Sequence, residues 1–289
     1  MEILTEKGVK FYLDRLDKSP VLLLSGINLL NETEFYNKKN IKKIHISKYH
    51  GFLPDDLNIL DHFPETEELY VQNDFDNFEG VYYLAKLRKL NVAYLSKSVQ
   101  LLNFPLLEEA SIMWNIKSTD FSNNINLKSL TIWNFNPKSK CFKGVAFPPG
   151  LSELIINTST IISLEGLICK NLSKFEGHYL TKLLSLNGLE NIYSSIETLI
   201  MSHCKKIHEY DILSNCTGIK KIILSSCGSI ESLKFIETMQ NLEFLSFVGT
   251  TIIDGDLSYC KKLKYTGFDD KKHYSFTMKQ MKYINEKNA

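Results

Sequence analysis

The stretch IKKIILSSCGSIESLKFIETMQN runs from Ile219 to Asn241. Its first apolar residues are Ile219, Ile222 and Leu224: an apolar residue, two others, an apolar residue, one other, an apolar residue. Side chains alternate along a strand, so the fourth and sixth residues share one face and the fifth points away from it. The same spacing returns as IKKIHI from Ile41, TEELYV from Thr66, LRKLNV from Leu87, LEEASI from Leu107 and LKSLTI from Leu127. It continues as LSELII from Leu151, LSKFEG from Leu172, IETLIM from Ile196, LEFLSF from Leu242 and LKYTGF from Leu263. VLLLSG from Val21 reads as an earlier copy. The step from anchor to anchor averages about 22 residues.

A period of that length means a stacked architecture. One repeat cannot bury its own apolar side, and stacking buries it against its neighbours. Each repeat is expected to supply one short strand, with its first, fourth and sixth residues in a shared core. The sequence here resembles the leucine-rich repeat proteins with short repeats, as in bacterial internalins. In the Ile219–Asn241 copy, Ile219, Ile222, Leu224, Cys227, Ile230, Leu233 and Ile236 occupy the apolar or turn positions of that family's repeat. The resemblance covers residues 21–270 and implies an α/β solenoid: a leucine-rich repeat horseshoe of about 11–12 parallel strands on the concave face, with mostly irregular or 3₁₀ convex segments. Thr66, Ala110, Gly177, Thr266 and Gly267 are weak versions of the pattern, and Asp74, Leu95, Phe135 and Leu180 stand at the ninth position where the family favours Asn or Cys.

Composition agrees with a folded chain that has no special solvent. Of 289 residues, 44% are hydrophobic and 23% charged, and the formal net charge is +1. That charge provides no field to attract nucleic acid or an anionic membrane. No apolar run is long enough for a spanning helix. The charged start MEILTEKGVKFYLDRLDKS lacks the apolar run of a secretory signal, so a cytoplasmic location is expected.

Cys169, Cys216 and Cys260 each stand three residues before a strand anchor, in the slot that Phe63, Leu84, Phe104 and Met239 fill elsewhere. Cysteine there is expected to act as a small buried hydrophobe. Cys204 and Cys227 fall at the ninth position of consecutive copies, and Cys141 lies in an irregular insert, residues 134–150. No CxxC pair occurs, so zinc spacing is absent and no metal or cofactor is expected. The second and third positions alternate in sign: Lys42-Lys43, Glu67-Glu68, Arg88-Lys89, Glu108-Glu109, then Lys128. On neighbouring parallel strands opposite charges are favourable, which predicts a solvated face that supports register; a charged docking site is the other reading. The insert, with its three prolines and three lysines, is either a functional loop or simple variation in repeat length.

Fifth, seventh and eighth positions are expected to project outward. They include Tyr70, Tyr94, Met113, Trp114, Trp133, Glu176, His178, Tyr179 and His203, with His45 and Ser47 on the first rung. Trp and Tyr on an exposed face are what protein contacts use, so these nine residues from Tyr70 to His203 are the candidate partner-binding set. The competing reading has the insert folding over both tryptophans. His178, His203 and Glu176 also admit a remote reading as a metal or acid–base cluster. No nucleophile elbow, phosphate loop or HExxH string supports an enzyme, and no basic stripe supports nucleic-acid binding.

Residues 1–20 are expected to cap the first repeat. Residues 271–289 place Met278, Met281 and Ile284 at helical spacing, which predicts a capping helix started by Ser275 or Thr277. These features point to a non-enzymatic, monomeric, protein-binding module. Its stand-alone design, and the tail FDDKKHYS from Phe268, are similar to leucine-rich repeat immunity proteins of bacterial toxin systems, which implies a toxin domain as partner. A regulatory or scaffold subunit that binds a cellular enzyme is the alternative.

Overall fold

A computed structural model describes residues 2–75, 77–92, 99–115 and 120–288. The chain divides into two compact units, Met1–Leu130 and Thr131–Ala289. Strand β8 (Ser129–Phe135) begins in the first and ends in the second.

In the first unit, β1 (Leu4–Glu6) and β2 (Val9–Leu13) form a hairpin across Lys7 and Gly8, both at positive φ as a tight two-residue turn requires. Strand β3 (Pro20–Leu24) pairs antiparallel with β2. From there every pairing is parallel: β3 to β4 (Lys43–Ile46), then β5 (Glu68–Val71), β6 (Lys89–Val92) and β7 (Glu109–Met113). In the second unit β9 (Glu153–Ser159), β10 (Lys174–Leu180), β11 (Thr198–Ser202), β12 (Lys221–Ser225), β14 (Phe244–Ser246) and β16 (Tyr265–Gly267) follow in the same parallel order. A smaller parallel pair, β13 (Gly228–Ile230) with β15 (Thr250–Ile252), begins at or just past the ninth position.

The strand register reproduces the repeat. Ile44 pairs with Leu69, Leu69 with Leu90 and Leu90 with Ala110; further on, Leu154, Phe175, Leu199, Ile222, Leu245 and Thr266 pair in turn. All of these fourth-position residues are buried, as are the first-position anchors from Ile41 to Leu263. The weak copies obey the rule too: Thr66, Ala110, Gly177 and Thr266 are buried. Most convex segments are single 3₁₀ turns, such as Glu79–Tyr83, Asp211–Asn215, Lys234–Thr238 and Ser258–Lys262. Repeated parallel strands on one side and 3₁₀ turns on the other make each unit a leucine-rich repeat solenoid.

The first copy differs from the expectation in its phase and in its covering. Val21 is not the first residue of its copy: it pairs with Lys43, while Leu22 pairs with Ile44. The copy therefore begins at Ser19, and Leu22 and Leu24 are its inward residues. Its convex segment is a true helix, α1 (Leu29–Lys38), an exception among convex segments expected to be mostly irregular or 3₁₀. Asn28 caps it by accepting from Asn31 N–H, and the buried Glu32 carboxylate accepts from Ser25 N–H, Ser25 Oγ–H and Gly26 N–H. A carboxylate held by three donors fastens the helix back onto β3. Finally, His45 and Ser47 do not project into solvent. They are 5% and 1% exposed. Tyr12, His50 and Tyr70 pack edge-on around the His45 ring.

All six cysteines are buried free thiols. Burial pushes Cys169 up to about 11 and Cys216 and Cys260 up to about 12. The insert contributes core as well: Cys141, Phe142 and Phe147 are buried, and Phe142 stacks on Phe135 at 4.8 Å. Helix α2 (Met278–Asn285) starts at Thr277, whose side chain and that of Gln280 form a reciprocal capping box. Met281 is buried, and Asn285 Nδ2 donates to the carbonyls of Cys260 and Leu263, which satisfies carbonyls of the final turn. Among the described residues no helix is long and apolar enough to cross a membrane.

Leu199→Ala should lower the stability of the second unit by about 2–5 kcal/mol in denaturant unfolding, because it empties a closed fourth-position site. Cys169, Cys216 and Cys260 should react with a thiol reagent only after unfolding, since they are both buried and held protonated. Fast labelling of the native chain would contradict the column that contains them.

Candidate functional site

In each unit the strand face opposite the core carries the third, fifth and seventh positions. Its lower border is charged. In the first unit Lys89 reaches Glu109 at 2.6 Å, Arg88 pairs with Glu108, and Lys128 also reaches Glu108 at 3.2 Å. In the second, Lys174 reaches Glu153, Lys220 reaches Glu197 and Lys264 reaches Glu243, at 2.5, 2.9 and 2.9 Å. The first-unit pairs are those that the alternating signs from Lys42 to Lys128 predict; the second-unit pairs extend the pattern. Most are exposed, so each contributes little alone. Lys43 differs, being buried and held by Asp17 at 2.8 Å and by Asp14 and Glu68 at 3.2 Å each. Burial opposes its charge, but the three carboxylates outweigh that and raise its pKa.

The candidate residues separate by unit. In the first, Tyr70 is half-buried, and its hydroxyl donates to Glu68 at 2.8 Å. Burial first, and then the Glu68 charge, raises the phenol's pKa. Met113 ends β7 and Trp114 follows it, both half-buried, with the Trp114 Nε1 shielded from solvent. Tyr94 lies outside the described residues.

In the second unit Trp133 is 40% and Tyr179 52% exposed. Tyr179 stacks on His203 with ring centroids 4.5 Å apart and planes 16° from parallel. His203 Nδ1 lies 2.9 Å from Ser202 Oγ. One residue before Tyr179, His178 Nε2 lies 2.8 Å from Glu176 Oε2, and Lys174 reaches the other Glu176 oxygen at 2.6 Å. The His178 bond above all, together with Lys174, outweighs burial and holds the Glu176 carboxyl down at about 2.

Backbone shape explains the stack. The eighth positions Asn134, Thr158, Tyr179, His203 and Ser226 all have φ between 53° and 59°, and Gly249 has φ 72°. The left-handed turn repeats from rung to rung, so consecutive eighth-position side chains leave the backbone in the same direction. His178 and Glu176 are thus joined in one network, and Tyr179 and His203 in another. Among the described residues no three His, Cys, Asp or Glu side chains converge as a metal site.

One aromatic group escaped the sequence reading. Phe244 and Tyr265 stack at 4.4 Å and 10°, with Lys221 Nζ 4.9 Å from the Phe244 ring centre. All three are third-position residues on consecutive strands. That column was read only for charge; reading it for ring content finds the pair.

No protein-family profile matches the chain, and no curated protein sequence matches it. Among solved structures it is similar to an internalin, inlF, of Listeria monocytogenes, at 15% identity over 72% of this chain and 68% of that one, with a TM-score of 0.47. It is also similar to a leucine-rich repeat protein of Leptospira interrogans, at 15% identity over 82% and 68%, with a TM-score of 0.40. The functional domain of InlJ from Listeria monocytogenes, which includes a cysteine ladder, matches at 15% identity over 79% and 62%, with a TM-score of 0.33. The leucine-rich repeat fold of this chain rests on its own register and buried columns, not on these overlaps.

Proposed function

We propose that this chain is a non-enzymatic protein-binding module that takes its partner on the outward strand faces. The observation that carries the reading is the exposure of Trp133 and Tyr179 there, with Tyr179 stacked on His203. Large rings bury much area at little entropic cost, so rings left on a face are disposed to be covered by a partner. Segments 1–18 and 271–289 serve in this reading as end caps, the expected start of the repeat region at residue 21 moving to Ser19 with the phase of the first copy. Within it, the similarity of the segment from Phe268 to Ser275 to leucine-rich repeat immunity proteins of bacterial toxin systems favours a bacterial cytoplasmic protein that neutralises a toxin domain.

Trp133→Ala and Tyr179→Ala should leave the thermal midpoint almost unchanged, unlike Leu199→Ala. Each should weaken capture of the product of the neighbouring open reading frame by about thirtyfold, which corresponds to an anchor worth about 2 kcal/mol. Capture is measured by co-expression and titration. If the two variants unfold as readily as Leu199→Ala, the rings are core residues; if they stay folded and bind as the wild type does, the outward face is not the contact surface.

A further inference from the structure

The third-position column of the second unit runs Glu153, Lys174, Thr198, Lys221, Phe244 and Tyr265. Its first charges are closed among themselves: Lys174 holds Glu153 and Glu176, and Glu176 also holds His178. Lys221 stands apart from them. Its partners on the two neighbouring strands are Thr198 and Phe244, and the fifth positions of those three strands are Ile200, Ile223 and Ser246, so the register sets no carboxylate beside it. The carboxylates one residue before Thr198 and Phe244, Glu197 and Glu243, are engaged by Lys220 and Lys264. Among the described residues Lys221 enters no ion pair, and its ammonium lies over the Phe244 ring. On the next rungs rings take the place of charges. Phe244 stacks on Tyr265, which is 44% exposed and has no other ring packed on it among the described residues. Two residues on is Gly267, where a Cβ would come within 2.9 Å of the Tyr265 hydroxyl and 3.0 Å of its ring; with glycine there the ring lies down along its strand.

We infer that this part of the face receives a segment of the protein partner in which a carboxylate side chain stands beside an aromatic one. The inference rests on the proposal that the chain binds protein on its strand faces and adds the partner's chemistry. Charge complementarity selects the carboxylate, because Lys221 is a cation whose register neighbours supply no anion. An ammonium has three donors, and the Phe244 ring covers only one side of it, so the others remain for an incoming oxygen. The surroundings, Ile200, Ile223, Phe244 and Val248, are apolar, and an ion pair covered there is stronger than one in open water. The rings select the aromatic side chain, since Tyr265 ends the stack and offers a further ring a partner. Lys221 and Tyr265 are two rungs apart, roughly 10 Å at about 4.8 Å per rung. An extended segment advances about 3.3 Å per residue, so an acidic and an aromatic side chain two or four residues apart share one face and cover that reach. A nucleic-acid strand carries a charge on every unit and needs several free cations, which this column does not offer.

The test uses the full chain and short fluorescent peptides in which glycine alternates with glutamate and tryptophan, followed by anisotropy. The glutamate–tryptophan peptide should bind. Exchanging its glutamates for glutamine should weaken binding about tenfold, as loss of a charged hydrogen-bond partner does, and exchanging them for lysine should abolish it. Exchanging its tryptophans for alanine should also weaken it. Binding should fall as salt is raised past about 0.1 M, where charges are screened over about 10 Å. Lys221→Gln alters an outward side chain and should melt as the wild type does, yet bind the peptide about tenfold more weakly. Lys221→Arg keeps the charge and should bind as the wild type does, while Tyr265→Leu keeps apolar bulk and should bind more weakly. Equal affinity for the glutamate and glutamine peptides overturns the inference, as does an unaltered affinity in folded Lys221→Gln. Oligouridylate that displaces the peptide from the wild type at the peptide's own concentration also overturns it, because the face then takes any polyanion. Trp133→Ala and Tyr179→Ala should bind the peptide normally. A loss of partner capture in those two variants, with no peptide binding to the wild type, refutes the carboxylate–aromatic assignment and leaves the proposed function standing.

Discussion

Within each unit, one hydrogen-bonding arrangement sets the rest. The second-position carbonyl of a rung accepts the amides of both the second and third residues of the next. Glu67 and Glu68 donate to Lys42, Arg88 and Lys89 to Glu67, Glu108 and Glu109 to Arg88. In the second unit Glu197 and Thr198 donate to Ser173, Lys220 and Lys221 to Glu197, Glu243 and Phe244 to Lys220. The shared acceptor fixes each strand's start against its neighbour. Because strand side chains have a period of two, a slip of one residue would carry Leu199 or Ile222 out to solvent and draw Lys221 inward. Register and burial therefore enforce each other, and the outward columns inherit the same spacing.

The far end of the strand is governed by the ninth position. Cys204 Sγ donates to Gly177 O at 3.5 Å, Cys227 Sγ to Met201 O at 3.3 Å and Thr250 Oγ1 to Leu224 O at 2.6 Å. Each acceptor is a sixth-position carbonyl of the previous rung. A thiol is a weak donor, but it is small and apolar enough to sit in the closed core beside the turn. The residue just before it takes the left-handed conformation, which costs a non-glycine residue roughly 1–3 kcal/mol and persists only where its surroundings hold it. At Tyr179 and His203 that conformation has a second effect: it sets two rings face to face on consecutive rungs. The exposed stack is a by-product of how the strand ends.

Much of this is legible in the sequence. The eleven anchors from Ile41 to Leu263 carry the register because a shared core punishes any departure from their spacing. The first copy was misaligned by two residues because VLLLSG is apolar at four successive positions, and hydrophobicity alone cannot choose a phase there. Helix α1 was missed because its fastening is polar, through Asn28 and Glu32, and the repeat spacing says nothing about such groups. His45 lies on the expected side of its strand but is packed by Tyr12, a residue from the hairpin that lies outside the repeat, and by His50 and Tyr70; Ser47 is buried as well. Position in a repeat tells which way a side chain leaves the strand. Whether another element then covers it depends on the neighbours.

The most direct test of the shared register is native-state hydrogen exchange resolved to single amides. Slow exchange should recur at the second and third residues of every rung from Glu67-Glu68 to Lys264-Tyr265, once in each repeat, with faster exchange in the exposed segments between. Protection that ignores this spacing, or that falls in the connecting segments and not at the paired second and third positions, would contradict the account.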